Sequence, residues 1–138
     1  MKLLLTSAGL ANKQLSRAFN SLLSPTAAEA KVLVFAYVEN KQHKFYLEET
    51  NNSLKGLGIT SIDFFDLKNV KFDEEENYDV IYVCGGNTFY ILSRLRSTGA
   101  DKFIIDTMKT NKDAVYVGVS AGSIIACPDI EIAGWGTQ

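Results

Sequence analysis

Short apolar runs alternate with longer amphipathic ones along the whole chain, and this pattern constrains the fold more than any other feature. It is the signature of βα units wound around a parallel sheet. Lys2–Thr6 reads as a first strand. Asn12–Leu23 reads as a helix, with Leu15, Ala18, Phe19, Leu22 and Leu23 on one face, stopped by Ser24-Pro25. Lys31–Tyr37 is a second strand and nearly all apolar, as a strand covered on both faces should be. A helix over Lys41–Leu57 closes near Gly56 or Gly58, and Thr60–Phe65 is the third strand. The charged run Asp73–Asn77 reads as a solvated loop or helix edge. Tyr78–Cys84 is the fourth strand, Thr88–Ser97 and Asp101–Lys109 are helices, Ala114–Val119 is the fifth strand, and Ala121 opens a further helix.

The pattern predicts an α/β fold: an open, mostly parallel, three-layer sheet with helices on both faces. A flavodoxin-like strand order of 2-1-3-4-5 would put the second strand on the edge farthest from the fifth. At 138 residues the chain fits one domain, 1–138, with room for a sizeable core. A net charge of −2 without a basic run gives nucleic acid or an anionic membrane no purchase. The apolar start Leu3–Leu5 is shorter than the roughly 7–15 residues of a signal-peptide core, and no run approaches a membrane span. The two cysteines, Cys84 and Cys127, lie far apart in apolar contexts and read as reduced, buried thiols, which suits a cytoplasmic protein.

Two glycine-rich turns fall where parallel strands present their C-terminal ends, the edge at which open α/β sheets bind ligands. Gly118-Val119-Ser120-Ala121-Gly122 joins the fifth strand to a helix. A nucleophilic serine needs such a sharp turn, with small neighbours two residues away on each side and helix amides aimed at a developing oxyanion. The competing reading is a tight turn in which Ser120 or Ser123 only caps the helix. Gly85-Gly86-Asn87-Thr88 follows the fourth strand. Its glycines leave amides uncovered, and Asn87 or Thr88 can cap the next helix. It reads either as a second oxyanion donor or as a turn required by packing. No dinucleotide or P-loop pattern is present, so neither sequence turn implies a cofactor or metal.

Together, strand–Gly85-Gly86-Asn87-Thr88-Phe89 and strand–Gly118-Val119-Ser120-Ala121-Gly122-Ser123 resemble the S51 serine peptidases, the peptidase E family, to which cyanophycinases also belong. The resemblance covers most of the chain. It implies the class I glutamine amidotransferase-like fold, a cytoplasmic location and a small-peptide substrate such as an N-terminal Asp-X dipeptide. It also implies Ser120 as nucleophile, the amides of Gly86 and Ala121 as the oxyanion hole, and Gly85, Asn87 and Thr88 beside the substrate. The family's catalytic histidine and acid follow the elbow, whereas no histidine follows Ser120 here. The chain therefore reads as a domain whose C-terminal part is missing.

The chain's one histidine, His43, lies after the second strand and so, in the 2-1-3-4-5 order, out of hydrogen-bond reach of Ser120. Asp129 and Glu131 are either an orienting acid or solvated carboxylates. Ile132 and Trp135 would be odd in an exposed tail, which points to packing on further sequence, on the core, or on a second copy through the C-terminal end. The alternatives to a peptidase are an inactive remnant with a binding or structural role, or an α/β-hydrolase esterase. A glutamine amidotransferase is disfavoured by serine at position 120.

Overall fold

Every strand pairs in parallel, and burial sorts them into a covered centre and two edges. The computed structural model describes residues 1–135, Trp135 by its backbone alone. Five strands, β1 (Lys2–Thr6), β2 (Lys31–Ala36), β3 (Ser61–Asp66), β4 (Val80–Val83) and β5 (Val115–Val119), alternate with helices α1 (Lys13–Leu22), α2 (Lys41–Gly56), α3 (Thr88–Thr98), α4 (Ala100–Thr110), α5 (Ala121–Ile125) and α6 (Ile132–Trp135). Strands β2, β4 and β5 are buried over nearly their whole length, which explains their unbroken apolar sequences.

The sheet order is β1-β5-β4-β2-β3, not 2-1-3-4-5. Strand β1 has moved from the middle to the edge beyond β5, where Leu3 and Leu5 remain 44% and 43% exposed. Strand β3 forms the other edge, and β2 stands two places from β5 with only β4 between them. The βα pattern is satisfied by either order, so it cannot choose between them. Residue types carry part of the choice: KVLVFA in β2 has no polar face for an edge, while Ser61-Ile-Asp-Phe-Phe-Asp66 in β3 does.

Alternate residues of each strand feed two cores. Val32, Val34, Val80, Tyr82, Val115 and Val117 pack with Phe19 of α1 and Leu54 of α2 on one face. Leu33, Phe35, Ile81, Val83 and Tyr116 pack with Ile91 and Leu95 of α3 and Met108 of α4 on the other. The period of two in the strands thus explains the three layers. Asparagine opens three of the helices: the Asn12, Asn40 and Asn87 side chains accept from the Gln14, His43 and Tyr90 amides. The charged run after β3 is loop, tied to β2 by the Lys31–Glu76 ion pair.

The two thiols differ from the sequence expectation. Both are free, but only Cys84 is sheltered. It sits beside the Thr50 hydroxyl at 4.0 Å, and burial pushes its thiol up to about 12. Cys127 is exposed because α5 ends at Ile125 and leaves it on the turn beyond, its thiol donating to the Ser123 carbonyl at 3.7 Å. Ellman's reagent at pH 8 is predicted to modify a single thiol of the native protein, and Cys127→Ser to abolish that reaction. Two thiols reacting at equal rates would contradict this placement.

Candidate active site

The junction of β5 and α5 holds a strained residue. Ser120 has φ 52° and ψ −110°, and it is the only non-glycine with positive φ among the described residues. Such a conformation costs on the order of 1–3 kcal/mol and persists only where its surroundings fix it. Here they do so from three sides. The Ser120 amide donates to the Thr6 carbonyl at the end of β1 (2.9 Å), and the Ser120 carbonyl accepts from the amides of Ser123 and Ile124 (2.9 and 3.1 Å). The Ser123 hydroxyl donates to the Thr6 carbonyl at 2.7 Å and accepts from the Thr6 amide at 3.0 Å. The buried Thr6 hydroxyl in turn donates to the Gly118 carbonyl and accepts from the Gly9 amide, both at 3.0 Å.

The flanking glycines are dictated by space. A Cβ on Gly118 would lie 2.7 Å from the Gly122 carbonyl, and one on Gly122 would lie 2.1 Å from the Val83 carbonyl oxygen. The start of α5 therefore presses directly on the end of β4, where Val83 is in register with Gly118. The Tyr116 hydroxyl, pushed up by burial, donates to the Gly122 carbonyl at 2.6 Å and secures the same contact from beneath. Ser120 itself is exposed, and its side chain makes no capping bond. Ser123 does not cap either, since its hydroxyl is committed to Thr6.

The second turn lies alongside. The position a Cβ would take on Gly85 is 3.3 Å from Ser120 Cβ and 4.0 Å from Ser120 Oγ. Gly86 has φ 145°, and a Cβ there would lie 2.9 Å from Ile91 Cδ1. No acceptor among the described residues takes the amide of Gly86 or of Ala121. Asn87 is the cap of α3, with its Oδ1 accepting from the Tyr90 amide at 3.0 Å. Thr88 is buried, 7% exposed, at the start of α3.

A cavity of about 100 Å³ opens beside this turn, between Tyr37, Glu39 and His43 on one side and Gly85–Asn87 with Tyr90 on the other. Placing His43 here corrects the expectation that it lies across the sheet, and the cause is the strand order: β2 is next to β4, whose turn carries Gly85 and Gly86. His43 is half-buried, and its Nδ1 accepts from the Glu39 amide at 3.2 Å. The Tyr90 hydroxyl donates to the Tyr37 hydroxyl at 3.3 Å, and their rings meet edge to face at 4.8 Å. That hydrogen bond, with burial and the neighbouring Glu39 carboxylate, pushes Tyr37 up to about 12. Nothing in the helix-and-strand pattern pointed to Tyr37 or Glu39, because only the sheet order brings them to the turn, where Tyr90 stands in the first turn of α3.

Asp129 and Glu131 are exposed, and Asp129 Oδ1 accepts from the Glu131 amide at 3.1 Å. Ile132 is exposed on α6, while the Trp135 side chain lies outside the described residues. Among the described residues no cluster of His, Cys, Asp or Glu could hold a metal ion, and no helix is long and apolar enough to cross a membrane.

The sequence model of Peptidase family S51 matches residues 3–136. The chain belongs to that family. It is 38% identical over 90 residues to an uncharacterized peptidase of Listeria monocytogenes, a match covering 62% of this chain and 42% of that protein. It is 35% identical over 85 residues to peptidase E of Shigella flexneri, covering 62% and 36%. The crystal structure of a putative peptidase E protein from Listeria monocytogenes superimposes with a TM-score of 0.73 at 30% identity, over 95% of this chain and 64% of that one. These matches span less than half the length of the curated relatives. Family S51 membership makes the chain a peptidase relative with the α/β fold that its sequence pattern predicts.

The contact between Gly122 and β4 yields a test. Gly122→Ala is predicted to destabilise the protein by about 3 kcal/mol or more in urea, since backbone atoms at 2.1 Å cannot yield as a side chain can. Gly56→Ala, where nothing lies within 4 Å and φ is ordinary, should be neutral or mildly stabilising. Equal effects of the two substitutions would contradict the packing described.

Proposed function

We propose that this chain is a serine-type peptidase acting on small peptides, with Ser120 as the nucleophile. The observation that carries the reading is the conformation of Ser120: strained, exposed, flanked by obligatory glycines and set beside the Gly85–Gly86 turn. A strain of this kind at a strand–helix junction presents an Oγ to a bound carbonyl. In this reading Ser120 Oγ bonds to the scissile carbonyl carbon, and the carbonyl π electrons move onto oxygen. The amides of Gly86 and Ala121, which have no acceptor among the described residues, receive that oxyanion. Collapse of the tetrahedral species breaks the C–N bond and leaves an acyl-serine, which water then hydrolyses.

The hydroxyl proton must pass to a base and return to the leaving amine. The resemblance to the S51 peptidases assigns that part to a histidine downstream of the elbow, and residues 121–138 contain none. His43 lines the neighbouring cavity but makes no hydrogen bond to Ser120. The Asp-X preference rests on the same resemblance. Two free cysteines agree with a cytoplasmic location, and exposed Ile132 is the feature that supports self-association through the C-terminal end.

Assays of two lengths side by side test the reading. Residues 1–138 alone are predicted to hydrolyse Asp-X dipeptides at no more than background rates and to label poorly with fluorophosphonates. In subtilisin, loss of the triad histidine costs about 10⁶ in kcat. A chimera that continues with the C-terminal third of the Listeria relative should gain both reactions, and Ser120→Ala should abolish them. Full activity of residues 1–138 that His43→Ala removes would make His43 the base. If neither length reacts, the domain is non-catalytic.

A further inference from the structure

We propose that the cavity beside the Gly85–Gly86 turn is a cation subsite that takes the ammonium of the substrate's free amino terminus, with Glu39 as its anion and Tyr37 and Tyr90 as its aromatic walls. The proposal rests on the peptidase reading of Ser120, because it places a substrate end next to that residue.

Charge decides the class of ligand. Among the described residues Glu39 is the only acidic one lining the cavity, and no lysine or arginine lines it. The Glu39 carboxylate is close enough to raise the Tyr37 hydroxyl, as is that of Asp66 at the end of β3. A ligand carboxylate would meet the like charge of Glu39, whereas an ammonium meets that carboxylate beside the aromatic side chains of Tyr37 and Tyr90. An ammonium over a tyrosine ring gains about 0.5–2 kcal/mol. An acidic side chain on the same residue of substrate must then be received elsewhere.

Size and distance agree. At about 100 Å³ the cavity has room for an amino group with its α-carbon. Gly85 lines it and also stands next to Ser120, its Cβ position 4.0 Å from the serine Oγ. Gly85 is thus common to the cavity and to the surroundings of Ser120, which sets a substrate end held in the cavity beside the reacting residue. The tyrosine pair is fixed by its hydroxyl bond, and Tyr90 is set by the Asn87 cap, so the walls are preorganised.

His43 supplies the readout, since it is the chain's one histidine and its Nδ1 is bonded to the Glu39 amide. In NMR titrations of residues 1–138, alanyl-alaninamide, whose one charge is its ammonium, is predicted to shift the His43 Cε1–H resonance in a saturable way. N-acetyl-alanyl-alaninamide should bind at least about tenfold more weakly, and Glu39→Gln should weaken the free peptide by about the same factor. Binding rather than turnover is measured, so a chain whose Ser120 never acylates would still give the result. Equal affinity for free and acetylated peptides, no effect of Glu39→Gln, or no shift with either peptide would overturn the proposal. So would a shift produced by N-acetylaspartate and not by alanyl-alaninamide, which would make the cavity a carboxylate site.

Discussion

The close approach of Gly122 to the Val83 carbonyl is the contact on which the rest of the site depends. It joins the start of α5 to the end of β4 with no side chain between them. That single contact fixes where the chain turns after β5, how Ser120 is strained, and how near the Gly85–Gly86 turn can lie. The hydroxyls of Thr6 and Ser123 close the arrangement from the β1 side, so three neighbouring strands, β4, β5 and β1, converge on one residue. A strained conformation survives only where it is held from several directions, and this one is.

The parallel sheet makes such convergence available. Because all strands run the same way, the turns after β2, β4 and β5 emerge on one edge, and each contributes a different chemistry. The β5 turn offers a hydroxyl, the β4 turn offers amides, and the segment after β2 offers the Glu39 carboxylate, the Tyr37 ring and the His43 imidazole. Open α/β sheets bind ligands at this edge for the same reason. The two hydrophobic cores are close-packed supports for this edge, with Phe35, Val83 and Ile91 in one and Val117 in the other.

Much of this was legible in the sequence. All five strands and the main helices lie within two residues of their expected bounds, because apolar periodicity and the Asn12, Asn40 and Asn87 caps act locally. The two glycine turns were visible for the same reason: steric limits at Gly118 and Gly122 are felt within a few residues. What the sequence concealed was order. Strands β1 and β2 are both short apolar runs, and nothing local says that one is an edge and the other interior. From that came the misplacement of His43, and with it the cavity that Tyr37, Glu39 and Tyr90 build. Cys127 was misread for a related reason, since an apolar neighbourhood in sequence does not show that a five-residue helix ends before it.

The claim that binds these observations is that Ser120 Oγ and the amides of Gly86 and Ala121 address one point. A crystal structure with a small peptide boronic acid measures this directly, because boron adds to a serine hydroxyl and places an oxygen where the oxyanion would form. The account predicts a covalent bond to Ser120, a boronate oxygen about 3 Å from both amides, and a Ser120 φ that stays positive. A boronate bound elsewhere, a Gly86 amide turned away from it, or a Ser120 relaxed into ordinary helical geometry would contradict the account.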